Sequence, residues 1–373
     1  MEREYSNQNN FVHQDILPAL QGLVEPIKIE RQQNGMLVIQ GRLLQNAEDV
    51  YPPLRSRFER LGYTPFIREH KAGVEVLAAP GVIERRPTRW KLNLALFIAT
   101  ILSVMFTGAL SETNGALDRP SQLLLGIPFA ATLLSILFAH EMGHFIVSRL
   151  RGAPASLPYF IPLPFSFIGT MGAVIVQREP FENRRTLLEV AIAGPLAGLV
   201  VAIPLLFYGL ATSTVGAPVP GQAYFQEGNS ILYALAKFLV FNQWLPGGGV
   251  DVQINAVAFG AWIGLLVTMV NLLPIGQLDG GHIAYALLGR RAEYLAYATL
   301  VLLLVLGLGG VAGTFGSSQW LVWVILAGLL VGPRHPAPLN DLVPLRPVHV
   351  ALGILGFITF VLLFMPTPLA IVS

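Results

Sequence analysis

The amino-acid sequence predicts a polytopic α-helical membrane protein, with six to seven spans and a re-entrant strand or loop, preceded by a small α+β domain. Three observations carry that prediction. Only 12% of the 373 residues are charged and 53% are hydrophobic, whereas soluble domains carry about 25% charged residues. The mean hydropathy is +0.59. Polar and apolar sequence is also unevenly placed: residues 1–88 hold nearly all the amphipathic, charged sequence, and from Trp90 onward apolar runs of bilayer-spanning length follow one another.

The first segment, 1–88, reads as one small cytoplasmic domain, with the membrane domain over 89–373. GMLVIQGRL (35–43) and GVEVLAA (73–79) alternate or run apolar as strands do. NAEDVYPPLRSRFERLG (46–62) reads as a helix capped by Asn46 or Glu48 and stopped by Gly62. The N-terminal MEREYSNQNNFVHQDILPAL has neither the basic nor the apolar region of a signal peptide, which places these residues in the cytoplasm.

Spans are expected near 91–110, 122–148, 186–210, 254–274, 294–313, 318–332 and 347–371. Two further stretches, 156–176 and 230–246, are apolar but broken by Pro and Gly. Irregular backbone at membrane depth is tolerated only inside protein or beside a wet cavity, so these read as re-entrant or interfacial. With the N-terminus inside, the short inside loops hold Arg149, Arg151, Arg178, Arg184, Arg185, Arg290, Arg291, Arg334 and Arg346. The outside loops hold Arg119 and Lys237. The positive-inside rule therefore orients the chain.

The net charge of +2 gives no footing for nucleic acid, and the absence of cysteine excludes disulfides, thiolate ligands and a cysteine nucleophile. Any metal must be held by nitrogen and oxygen. The sequence LFAHEMGHFIV (137–147) then stands out, because it places His140, Glu141 and His144 inside an apolar span, where each is costly. On a helix His140 and His144, four apart, share one face and can converge on one ion. Glu141 lies about 100° away, beside the metal, where a general base can take a proton from water. Hydrogen bonding to neighbouring helices is the plainer reading of the three.

A catalytic zinc usually needs a third protein ligand. Asp279, in MVNLLPIGQLDGGHIAYALL (269–288), follows Pro274 and Gly276 and precedes Gly280 and Gly281, so the helix breaks where its carboxylate would turn inward. The plainer reading makes it an N-cap for the helix 281–288, a role that can coexist with ligation. Glu189 and Asp251 sit near span ends without a comparable setting, and His282 is an alternative ligand more suited to packing. Gly194 and Gly198 form a small-xxx-small face that permits close helix approach, and packing alone is the favoured reading there. Residues 167–176 offer a strand edge to which a peptide could pair, or a plain structural hairpin.

The HExxH of a membrane helix, followed about 130 residues later by N-x-x-P-x-x-x-x-D-G (Asn271, Pro274, Asp279, Gly280), resembles the site-2 protease family of intramembrane zinc metalloproteases. The resemblance covers a core of about 122–288. GTMGA (Gly169, Thr170, Met171, Gly172, Ala173) is similar to the family's re-entrant strand, and GPLAG (Gly194, Pro195, Gly198) to its central-helix motif. The resemblance implies one Zn2+ per chain held by His140, His144 and Asp279, Glu141 as base, and Asn271 hydrogen-bonding the substrate or transition state. It also implies a single-span, membrane-anchored substrate, a regulator or a remnant signal peptide. The expected setting is the bacterial cytoplasmic membrane or its equivalent.

No PDZ or CBS module is seen, and the later spans with GPRHPAPLND (332–341) are similar to a bacterial and plastid-like branch. His335 reads as part of a Pro-rich connector before it reads as a ligand. A metal transporter would string polar residues along several spans and show an inverted repeat, and neither is present. An idle zinc-binding scaffold would have no use for Glu141.

Overall fold

The computed structural model describes residues 16–71, 73–83, 88–113, 115, 117–217 and 224–372. The first fifteen residues, part of the stretch read as lacking a signal peptide, lie outside the described residues. The chain divides into two compact units. The first comprises Met1–Pro87 with Arg178–Leu187 and Pro336–Arg346, and the second comprises the remainder.

In the first unit four antiparallel strands, β1 (Val24–Arg31), β2 (Leu37–Leu43), β3 (Tyr63–His70) and β4 (Gly73–Pro80), lie in the order β1-β2-β4-β3. A helix, α1 (Ala47–Arg60), buries Val50, Tyr51, Leu54 and Phe58, one face by helical spacing. Two of these strands and the helix were expected; β1 and β3 were not, because charged residues interrupt their alternation. Asn46 precedes α1 without a side-chain cap, and Gly62, at φ +81°, ends it in the left-handed conformation glycine tolerates. The Tyr51 hydroxyl donates to the Pro65 carbonyl at 3.0 Å, tying α1 to β3, and burial pushes its phenol up from the ordinary value.

The expected domain, 1–88, omits two pieces that the unit contains. Residues 339–341 lie parallel to β3: the Ile67 N–H donates to the Leu339 carbonyl and Asp341 N–H to the Ile67 carbonyl. On their other side Leu339 and Asn340 N–H groups bond the carbonyls of Phe181 and Glu182. Leu339 is fully buried within the unit's apolar core. The Pro-rich segment read as a connector is therefore partly core. Ion pairs Arg55–Glu179 (2.7 Å), Arg184–Asp341 (2.7 Å) and Arg185–Glu48 (2.8 Å) join the three chain segments.

The second unit is helical. Four stretches among the described residues are long and apolar enough to cross a membrane: Trp90–Glu112, Pro120–Leu150, Arg184–Ala211 and Asp279–Val311. We label the helices α2 (Trp90–Glu112), α3 (Ile127–Leu150, entered through a 3-10 turn, Pro120–Gly126), α4 (Arg184–Ala211), α5 (Ile231–Phe241), α6 (Ala256–Asn271), α7 (Asp279–Leu288), α8 (Ala292–Val311), α9 (Gln319–Leu326) and α10 (Pro347–Leu363). The structure redraws several expected spans. The stretch read as 318–332 is an eight-residue α-helix followed by a π-turn, Ala327–Val331. The last span ends at Leu363 and is followed by a strand, Leu369–Val372. The span expected at 294–313 is α8, which α7 leads into through a 3-10 turn, Gly289–Arg291.

α3 is the centre of this unit because small residues let its neighbours close on it. A Cβ at Gly260 or Gly264 of α6 would press on Thr132 or Ile136, and Phe129 stacks on Phe259 at 5.5 Å. Between α3 and α4 a hairpin forms from β5 (Tyr159–Leu163) and β6 (Gly169–Val174). Lys237, counted in the sequence as a loop charge, is fully buried and paired with Glu227 (3.0 Å) and Asp251 (3.2 Å).

Candidate metal centre

α3 stays helical through its polar cluster, Gly143 included, within one continuous 24-residue helix, and the 3.6-residue turn puts His140 and His144 on one face. Both are buried, at 3% and 5% exposure. Their Nε2 atoms lie 3.1 Å apart. Asp279 comes from the first residue of α7, and its Oδ2 stands 3.2 Å from His140 Nε2 and 3.3 Å from His144 Nε2. The three donor atoms lie within 4.8 Å of one another.

This set suits a zinc ion: two imidazoles and one carboxylate, with no thiolate, leave a position open to water or substrate. The ring of His144 is set for that task from behind. Its Nδ1 lies 2.7 Å from the Val190 carbonyl of α4, so Nδ1 carries the proton and Nε2 presents its lone pair. Asp279 does not cap α7, as its alternative reading had it: Leu278 stands at the cap position and no side chain caps the helix.

Glu141 is buried beside these residues, and the Ile175 backbone amide, next after β6, faces its carboxylate. The Asn271 side-chain amide, at the end of α6, reaches within 3.3 Å of His140 Nε2. Four elements thus deliver their polar groups to one place: α3, α4, the end of α6 and the start of α7.

The glycines explain why they can. A side chain at Gly194 of α4 would lie inside the His144 imidazole, so the close approach that this small residue permits is to that ring. Gly198 is looser, its Cβ position 3.3 Å from the His140 Cβ. Gly143, within HEMGH, would push a Cβ to 2.5 Å from the Ala193 carbonyl. Pro195 sits inside α4, in the turn after the Val190 carbonyl. Pro274 is buried in the turn between α6 and α7, and a side chain at Gly280 would strike the Leu272 carbonyl.

In the hairpin, β6 pairs with β5 through Ala173–Phe160 and Thr170–Pro162, and no strand covers its other edge among the described residues. Gly169 (φ +80°) and Gly172 (φ +98°) take left-handed conformations. Thr170 is buried, its hydroxyl bonded to the Ile161 carbonyl, while Met171 is 67% exposed. α2 anchors the hairpin with Ser103 to the Gly169 carbonyl (2.5 Å) and Asn93 to the Leu157 and Pro158 carbonyls (3.0 and 2.9 Å). The hairpin turn lines a cavity of about 790 Å³ with Phe106, Phe129 and Phe259.

Sequence reasoning missed the Val190 carbonyl, Gly143 and the α2 donors. Only the last left a signal, since Asn93, Thr100, Ser103 and Thr107 recur at helical spacing through an apolar span. His335 is neither in the metal cluster nor free in a loop: its Nε2 lies 2.5 Å from Nδ1 of His282. Glu189 and Asp251 are held elsewhere, Glu189 by Arg151 and His349, Asp251 by Lys237.

Fold and site together define a membrane-embedded protein with a zincin-type metal cluster. Residues 128–307 match Peptidase family M50. The chain belongs to that family, the site-2 proteases, and is an integral membrane protein. It is 32% identical over 266 residues to the "Probable zinc metalloprotease EGY2, chloroplastic" of Arabidopsis thaliana, covering 70% of this chain and 45% of that protein. To the EGY2 protein of Oryza sativa subsp. indica it is 32% identical, covering 75% and 50%. To the "Probable zinc metalloprotease EGY1, chloroplastic" of Arabidopsis thaliana it is 27% identical, covering 87% and 65%. The chain thus spans about half the length of the first two of these relatives. No solved structure matches it.

Proposed function

We propose that the chain is a zinc-dependent intramembrane endopeptidase that hydrolyses a peptide bond in or near the transmembrane segment of a membrane-anchored protein. The observation that carries this reading is the convergence of His140, His144 and Asp279 within an apolar helical unit, with Glu141 beside them. These three would hold one zinc ion. Bound there, zinc supplies Lewis acidity to a water molecule and to a peptide carbonyl.

Glu141 accepts the proton of the attacking water and passes it to the leaving amine. Asn271 donates its amide N–H to the oxygen of the carbonyl under attack. The substrate, unwound so that its amides are free, adds as a strand along the uncovered edge of β6, Gly169–Ala173. That edge suits the task because β6 runs toward Ile175, whose amide faces Glu141, and because the adjoining cavity is lined largely by aromatic and aliphatic side chains.

In this reading residues 1–88 form a domain on the cytoplasmic side, and 89–373 form the membrane domain with its catalytic core at about 122–288. The chain makes six or seven crossings, with Ala256–Asn271 and Pro347–Leu363 as short ones. Its substrate is a single-span regulator or a remnant signal peptide, and its membrane is the bacterial cytoplasmic membrane or an organellar equivalent. The names of the plant relatives, all chloroplastic, fit the second setting.

The test is co-expression with tagged single-span reporters, comparing wild type with Glu141→Gln. Cleavage by wild type alone, with zinc in both proteins, is expected. Cleavage that survives in Glu141→Gln overturns the assignment of Glu141, and a wild-type protein without zinc overturns the ligand set.

A further inference from the structure

Asp279 is the one member of the metal cluster outside α3, and α7, the helix that presents it, starts without a cap. Its first N–H groups have no side-chain acceptor from Leu278, and an uncapped ten-residue helix is prone to fray at its start. Something else must fix that end, because a ligand displaced by an ångström binds its ion far less well.

The segment after the π-turn does this. Gly276, at φ +50°, lies so close to Gly332 that a Cβ there would overlap the Gly332 carbonyl and stand 2.7 Å from Val331 Cγ1. From that contact the chain leads to His335, whose Nε2 lies 2.5 Å from Nδ1 of His282. His335 also stacks on Tyr285, with centroids 4.5 Å apart and planes at 22°. Asp279, His282 and Tyr285 are spaced by three, one row on α7.

We propose that His335 is a positioning residue for the metal: through one shared proton to His282, and by stacking on Tyr285, it clamps α7 and so holds the Asp279 carboxylate against His140 and His144. One ring donates and the other accepts, so the contact is satisfied by either tautomer pair. The inference rests on the reading of His140, His144 and Asp279 as ligands.

The experiment measures the zinc affinity of the full-length protein in detergent by competition with a chelator, for wild type, His335→Ala, His282→Ala, the double variant and His335→Gln. Partners one step behind a ligand typically change metal affinity about 10–100-fold, and this clamp acts through a helix turn, so a loss of about tenfold is expected in each alanine variant. The double variant should lose no more than one single variant, because the two residues form one contact. His335→Gln, whose amide can still bond His282, should recover affinity to within a few-fold. Wild-type affinity in His335→Ala, or a double variant whose losses multiply, overturns the clamp. A wild-type protein that binds no zinc overturns the metal reading itself.

Discussion

Gly194 sets the sharpest constraint at the residue scale. An added methyl there overlaps the His144 imidazole, whereas at Gly198 it merely touches the His140 Cβ at 3.3 Å. The ring cannot retreat freely, because its Nδ1 is held by the Val190 carbonyl at 2.7 Å. Gly194→Ala is therefore expected to rotate His144 out of the cluster and lower zinc affinity by at least a hundredfold, since an imidazole ligand is lost. Gly198→Ala should change it less than tenfold, the neighbour having only a few tenths of an ångström to give. Metal content and chelator competition on the two variants check this, and equal affinities would show that the ring adapts. The motif residues themselves were legible in the sequence because HExxH fixes both spacing and chemistry. The Val190 carbonyl was not, since a backbone acceptor has no residue type to reveal it.

At the scale of elements, the hairpin β5–β6 shows how backbone that is not helical can persist in a membrane protein. Its carbonyls are satisfied from α2, where Ser103, Asn93 and Thr107 meet Gly169, Leu157 and Pro158, and Ser166. Replacing Ser103 by Ala removes the donor to the Gly169 carbonyl, at a cost of about 1–3 kcal/mol for an unmet buried acceptor. Because Gly169 opens the strand proposed to receive substrate, the expected result is a several-fold higher KM for a reporter peptide. Zinc content should be unchanged and kcat should shift less than KM. Unchanged KM in a protein that has kept its zinc would separate the hairpin from substrate binding. That the stretch is not a plain spanning helix was legible from Pro and Gly breaking an apolar run, and its strand from the resemblance carried by GTMGA. Its anchoring was masked, because serine and threonine in a span also bond their own helix, as Thr100 does to Leu96.

On the scale of the whole molecule, the chain leaves its first unit at Pro87 and returns to it twice, at 178–187 and 336–346. Composition alone could not show this, since periodicity reports which residues face a core and not whose core it is. Leu339 sits in a Pro-rich segment that reads as a connector, yet it is fully buried among Leu54, Phe58 and Ile67, and its backbone bonds both Ile67 and Phe181. Truncating it leaves a cavity between α1 and β3, and large-to-small changes of this kind cost about 2–5 kcal/mol. Leu339→Ala is thus expected to raise hydrogen exchange across β3, 63–70, even though it is remote from β3 in sequence. Deleting 1–87 should do more harm than the loss of a terminal appendage: it strips 336–346 of its core and leaves Arg185 without Glu48 as its partner. Such a deletion should lower the unfolding temperature of the remaining protein and expose the bonds around 336–346 to protease. A deletion protein as resistant there as the full chain would mean that these segments are ordered by their own unit-independent structure, and that the sheet merely receives them.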